Sequence, residues 1–167
     1  MPTPEDIIAI ARGYVSTPFR HQGRLPGLAL DCAGVVVCVA RQLGVEGEFK
    51  EVPYGKYPHG NTLQGLCDLH MDRISMYGPG DVLLMAWEAE PQHLAIASDI
   101  GIIHSYAKAR KVVEHTLDPV WRSRICGAYR FRGLDLHSEP EPQPKPKSGR
   151  YGRPGGGGTG WPERGIS

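Results

Sequence analysis

What constrains this chain most is the run from Leu30 to Leu43, LDCAGVVVCVARQL. Asp31 is a strong N-cap residue, Val35 to Ala40 is apolar almost all round, and Gly44 supplies a stop, so the run predicts a buried helix. Cys32 falls at its first position. There, unpaired backbone N–H groups and the positive end of the helix dipole favour a thiolate, the form of cysteine that acts as a nucleophile. Gly34 has no side chain and leaves room beside the sulfur for a substrate backbone. The same place also suits a cysteine that is merely a small apolar residue at a helix start, so the rest of the chain must decide.

Upstream, Thr3-Pro4-Glu5-Asp6 is a helix start, followed by Ile7, Ile8, Ala11, Tyr14 and Val15 on one face. Glycine and proline break any period from Phe19 to Ala29, which reads as a loop that delivers the chain to Asp31 and walls the helix terminus. Downstream, a short helix is expected from Thr62 to about Met71, with Leu63, Leu66 and Leu69 on its face. After the turn signal Tyr77-Gly78-Pro79-Gly80 the period becomes that of strands. Five are predicted, at 81–87, 93–98, 101–106, 111–116 and 127–131, joined by tight connections. Strands so close pair antiparallel, and the helices lie upstream. The expected class is α+β, N-terminal helices packed on a five-stranded antiparallel sheet.

A chain of 167 residues has room for one domain with a proper core, assigned here to 1–136. From His137 onward, Pro140, Pro142, Pro144 and Pro146 alternate with polar residues and Gly155 to Gly158 follow, so 137–167 predicts a disordered tail. A formal net charge of +1 provides no field for nucleic acid or an anionic membrane, and neither is an expected partner. The start, MPTPEDIIAIARGY, has acids where a secretory signal has bases, and Arg12 interrupts its apolar stretch. Synthesis in the cytoplasm without a signal peptide is expected. The four cysteines form no short pair of the metal-binding or redox kind, so free thiols, no metal and no cofactor are expected, with Cys38 and Cys126 in the core.

Two of the seven histidines fall at informative places. His93 opens one strand, and His104 lies in the next, across a turn near Asp99 to Gly101. Antiparallel pairing brings them to about the same level, where two imidazoles become neighbours. A nucleophilic cysteine needs a base within reach and a third group to orient that base, and Cys32, His93 and His104 can supply all three.

Taken together, Asp31-Cys32-Ala33-Gly34, Gly80-Asp81-Val82, His93-Leu94-Ala95-Ile96 and Ile103-His104-Ser105 resemble the NlpC/P60 family of cysteine peptidases, over about residues 3 to 132. The resemblance implies a papain-like core that hydrolyses peptide bonds in bacterial cell-wall stem peptides, next to D-glutamate, with Cys32 as nucleophile, His93 as base and His104 as the residue that orients it. The stretches TPFRHQGR and RICGAYRF look most like the branch encoded by tailed phages, prophages and gene transfer agents. That implies a bacterial enzyme carried on a virion tail, with tail-tip proteins as partners and action in the periplasm or cell wall. One departure stands out: Phe19 occupies the position of a family tyrosine whose hydroxyl helps hold substrate or oxyanion. The Cys32 N–H, helped by His21 or Gln22, would have to serve instead. Arg20 or Arg24 would meet a substrate carboxylate, unless these loop arginines are simply solvated. The competing readings are an amidase or acyltransferase on the same thiol fold, and a structural component of a tail assembly.

Overall fold

The computed structural model describes residues 1–45, 55 and 60–134. The tail expected to be disordered lies outside the described residues. Helix α1, Pro4–Gly13, starts in a capping box: the Thr3 hydroxyl accepts from the Asp6 N–H, and the Asp6 carboxylate accepts from the Thr3 N–H at 2.8 Å. Its apolar stripe buries Ile7, Ile8 and Ala11. Helix α2, Cys32–Leu43, is capped by Asp31 and closed by Gly44 in the left-handed region at φ 67°. Every residue from Ala33 to Ala40 is buried, because α2 lies between α1 and the sheet. That two-sided burial is why the run is apolar all round.

A small ribbon, β1 (Arg24–Leu25) with β2 (Ala29–Leu30), leads into α2. Helix α3, Thr62–His70, buries Leu63 and Cys67, one turn apart, while Leu69, expected on that face, is 64% exposed. The main sheet contains β3 (Met71–Ile74), β4 (Val82–Trp87), β5 (Glu90–Ala97), β6 (Ile102–Tyr106), β7 (Lys111–His115) and β8 (Ile125–Phe131). Its order is β3-β8-β4-β5-β6-β7, antiparallel at every pairing.

The sheet therefore has six strands where the sequence predicts five. The extra strand, MDRI, exposes Asp72 and Arg73 at the sheet's edge and shows no apolar alternation; its pairing with β8, Met71 against Phe131, makes it a strand. Nor are all helices upstream, since α4, Pro119–Ser123, sits between β7 and β8.

Val82, Leu83, Leu84 and Met85 are all fully buried, because both faces of β4 are covered. Val82 and Leu84 join α1 and α2 in one core; Leu83 and Met85 join Ala95, Ala97, Ile102 and Ala128 in a second, covered by Trp87, Leu117 and Trp121. Asp81, fully buried just before β4, is held by Arg130 of β8 through bonds of 2.8 and 3.0 Å. Cys38 is buried as expected. Cys126 is not: it is exposed, its thiol turned to the Leu84 carbonyl.

Candidate active site

The N-terminus of α2 is built by Asp31. One carboxylate oxygen accepts from the Gly34 N–H at 2.7 Å and from Arg24 Nη1 at 2.8 Å, and the other accepts from the Gln22 N–H at 2.7 Å. A single 3%-exposed side chain thus caps the helix and fastens the preceding loop to it. The loop is stitched further: Leu30 N–H donates to the Pro18 carbonyl, Arg20 N–H to the Leu30 carbonyl, and the Ser105 hydroxyl of β6 to the Leu30 carbonyl at 2.7 Å. The residues on either side of Cys32 are therefore fixed from both the loop and the sheet.

Two expectations change here. The space at Gly34 is taken up by the chain itself, since a Cβ there would stand 2.2 Å from the Gly23 carbonyl oxygen. Gly34 lets the loop, not a substrate, approach the helix. Arg24 is committed to the Asp31 ion pair and to the Gly23 carbonyl at 2.8 Å, so its guanidinium serves the helix cap.

Cys32 keeps part of its surface exposed, yet burial around the sulfur pushes the thiol up to about 12, with the Asp31 charge adding to the rise. Backbone N–H groups of Leu94 and Ala33 and the Arg24 charge act in the opposite direction and do not outweigh it. The resting group is a thiol, not the thiolate that the helix terminus predicts, because desolvation exceeds what partial charges at a helix end can return. The Leu94 contact places the sulfur against the backbone next to His93. No hydrogen bond joins the Cys32 sulfur to the His93 ring among the described residues.

His93 and His104 are brought together: His93 Nε2 lies 2.6 Å from His104 Nδ1. They are not level. Ile96 pairs with Ile103 and Ala97 with Ile102, and that register continued sets His93 opposite Tyr106, so the contact is diagonal between residues on one face. A register shift opposite Met85 and Ala86 falls between His93 and Pro91, and such bulges re-aim side chains. His93 is 7% exposed and His104 fully buried. Burial pushes His93 down to about 3, helped by the Arg124 charge, and His104 down to about 2, helped by His93 and His115. Both rings are neutral.

Several residues here are missed by the sequence reading. His115, on a strand that carries none of the recognised motifs, has Nε2 2.9 Å from His104 Nε2 and Nδ1 2.9 Å from the Thr116 carbonyl. Its signal is a repeat: 93, 104 and 115 are eleven residues apart on three consecutive strands. Trp87 stands edge-on to His93 with centroids 5.0 Å apart, Trp121 edge-on to His104 at 4.9 Å, and Tyr106 stacks on His104 at 5.4 Å. Arg124 lies over both indoles, 4.8 Å from the centre of Trp87 and 4.6 Å from that of Trp121. Aromatic positions scattered over three elements leave no motif in a sequence.

Of the loop residues, Phe19 is half-buried, its N–H donating to the Arg110 carbonyl. Arg20, His21 and Gln22 are exposed, Gln22 at φ 57°. Asp99, in the turn between the two histidine strands, is 58% exposed and paired with Arg12.

No family model and no curated protein matches the sequence. Among solved structures, an NlpC/P60 family protein from Bacillus cereus is similar at 20% identity and a TM-score of 0.59, over 78% of this chain and 40% of that one. The NlpC/p60 domain of the peptidoglycan hydrolase SagA is similar at 22% and 0.52, over 78% of this chain and all of that domain. NlpC2 from Trichomonas vaginalis is similar at 12% and 0.58, over 78% and 48%. This chain spans less than half of the Bacillus cereus and Trichomonas proteins, and at these identities the likeness is one of architecture: the chain has the NlpC/P60 fold.

Proposed function

We propose that the protein is a cysteine peptidase acting on peptide bonds of bacterial cell-wall stem peptides, with Cys32 as nucleophile, His93 as general base and His104 as the residue that orients it. The carrying observation is the buried 2.6 Å contact between His93 and His104, beside a cysteine whose sulfur touches the backbone of Leu94. The fold shared with a domain described as belonging to a peptidoglycan hydrolase supports the substrate class.

In this reading His93 uses the ring nitrogen turned away from His104, Nδ1, to take the thiol proton as the sulfur attacks the scissile carbonyl. A neutral thiol beside a neutral imidazole is not a preformed ion pair, so proton transfer waits for the substrate carbonyl. The imidazolium then protonates the departing amine, and water, deprotonated by the same ring, clears the thioester. The Cys32 N–H, in the first turn of α2 where backbone donors lack helical acceptors, serves as the oxyanion donor in this reading, with His21 or Gln22 as helpers and Phe19 supplying only apolar surface. With Arg24 spent on Asp31, Arg20 is the loop cation left for a D-glutamate carboxylate.

The finer setting, a phage or prophage tail that carries the enzyme to the periplasm or wall beside tail-tip partners, rests on the likeness of TPFRHQGR and RICGAYRF to that branch. Incubation with defined muropeptides and product identification by mass tests the activity. Two fragments whose masses sum to substrate plus one water are expected, and none from Cys32→Ala or His93→Ala. Transfer to an added amine in place of water would make it an acyltransferase; no turnover of any stem peptide would leave the structural reading.

A further inference from the structure

The structure assigns His115, with the carbonyl of Thr116, as the residue that fixes the tautomer of His93 through His104. The inference rests on His93 being the base of the reaction proposed above, and extends that site by one strand. Its basis is a proton count. A carbonyl oxygen only accepts, so His115 Nδ1, 2.9 Å from Thr116 O, carries the hydrogen. With a single hydrogen on the ring, Nε2 is then bare. It faces His104 Nε2 at 2.9 Å, and two lone pairs do not bond, so His104 Nε2 carries a hydrogen. His104 Nδ1 is then bare, and the 2.6 Å contact requires the hydrogen on His93 Nε2. His93 Nδ1 is left with a free lone pair, the form a general base needs.

His104 cannot make that choice alone. A neutral imidazole with one neighbour is as well satisfied donating as accepting, and if His104 carried its hydrogen on Nδ1, His93 would accept on Nε2 and carry its own hydrogen on Nδ1, the nitrogen the proposed reaction needs bare. Only an end fixed by a pure acceptor gives the line a direction. The sheet supplies the geometry: Ile102 is opposite His115 and Val113 opposite His104, so His93, His104 and His115 descend diagonally across β5, β6 and β7 on one face. Trp121, 4.9 Å from His104 and 5.0 Å from His115, packs along the line. The ring nitrogens face one another, His93 Nε2 to His104 Nδ1 and His104 Nε2 to His115 Nε2, and so form a file of donors and acceptors.

The test is imidazole ¹⁵N spectroscopy of the full chain near neutral pH, with kinetics on a muropeptide. The parent should show His93 protonated on Nε2 and bare on Nδ1. His115→Phe keeps a ring but offers no acceptor. It should mix the His93 tautomers and lower kcat by about tenfold or more at unchanged KM, since a wrongly held tautomer costs turnover and not binding. His115→Gln, whose amide oxygen accepts, should restore both in part. His115→Lys, which only donates, should reverse the line and protonate His93 Nδ1. A parent His93 protonated on Nδ1, or identical His93 tautomers in the Gln and Lys variants, overturns the inference. Should the Phe variant not fold, that pair still decides. The tautomer is read without substrate, so failure of the peptidase reading and failure of this one are separable.

Discussion

His93 and His104 are polar side chains held where charge is penalised, and the protein stabilises them as neutral rings that satisfy each other. The consequence for stability has a definite sign. Both groups titrate lower in the folded chain, about 3 and about 2, than their ordinary value of 6.5, so below pH 6.5 the unfolded chain binds more protons. Stability from the neutral pair is fully present above pH 6.5 and is lost as pH falls from there toward 3. Each histidine contributes a slope of up to about 1.4 kcal/mol per pH unit in that window. Urea midpoints between pH 7 and 4 should fall more steeply for the parent than for His104→Gln, which removes one of the titrating rings. Parallel slopes would show that the buried histidines are already charged in the folded state.

At the scale of elements, α2 and the loop before it form one unit locked by Asp31 and by contact at Gly34. Replacing Gly34 by alanine sets a methyl group against the Gly23 carbonyl at 2.2 Å. Backbone cannot rotate away as a side chain can, so the helix and loop must separate. A loss of about 3 kcal/mol is expected, on the order of 10 °C or more in Tm. Gly13→Ala, near the end of α1 with nothing within 4 Å, is the matched control and should be neutral or slightly stabilising. Calorimetry on the two variants checks the pair. A Gly34→Ala variant that melts with the parent would return that space to a substrate, the role the sequence alone suggests.

For the whole molecule, the described fold closes on itself at Leu134. That residue is 8% exposed and packs into the core shared by α1, α2 and the sheet, although it lies past the last strand. Nothing in the composition of 137–167 offers a further apolar face to bury. A chain ending at residue 136 should therefore melt within a degree or two of the full protein, at about the limit of what a surface change causes. A chain ending at Arg132 should lose about 2–4 kcal/mol with the leucine. Thermal melts of the two truncations decide it, and a large drop on cutting at 136 would show that the tail packs on the domain.

Features that are local in cause were set by neighbouring residues alone. The caps at Thr3 and Asp31, the stop at Gly44, and strands β4 to β8 follow from residue types a few positions apart, because capping and alternation act over one turn or one pleat. Cys32, His93 and His104 stood out as candidates because each sits beside such a signal. The remaining features depend on distance through space. The four residues of β3 become a strand only on meeting β8. The thiol of Cys32 is held protonated by burial that no neighbour in sequence reveals. Arg24 faces Asp31 and not solvent, and Cys126, expected in the core because free cysteines usually are, is exposed. His115 joins the site because three strands pair in a register that lays every eleventh residue along one diagonal, and strand register is fixed by the assembled sheet and not by any single strand.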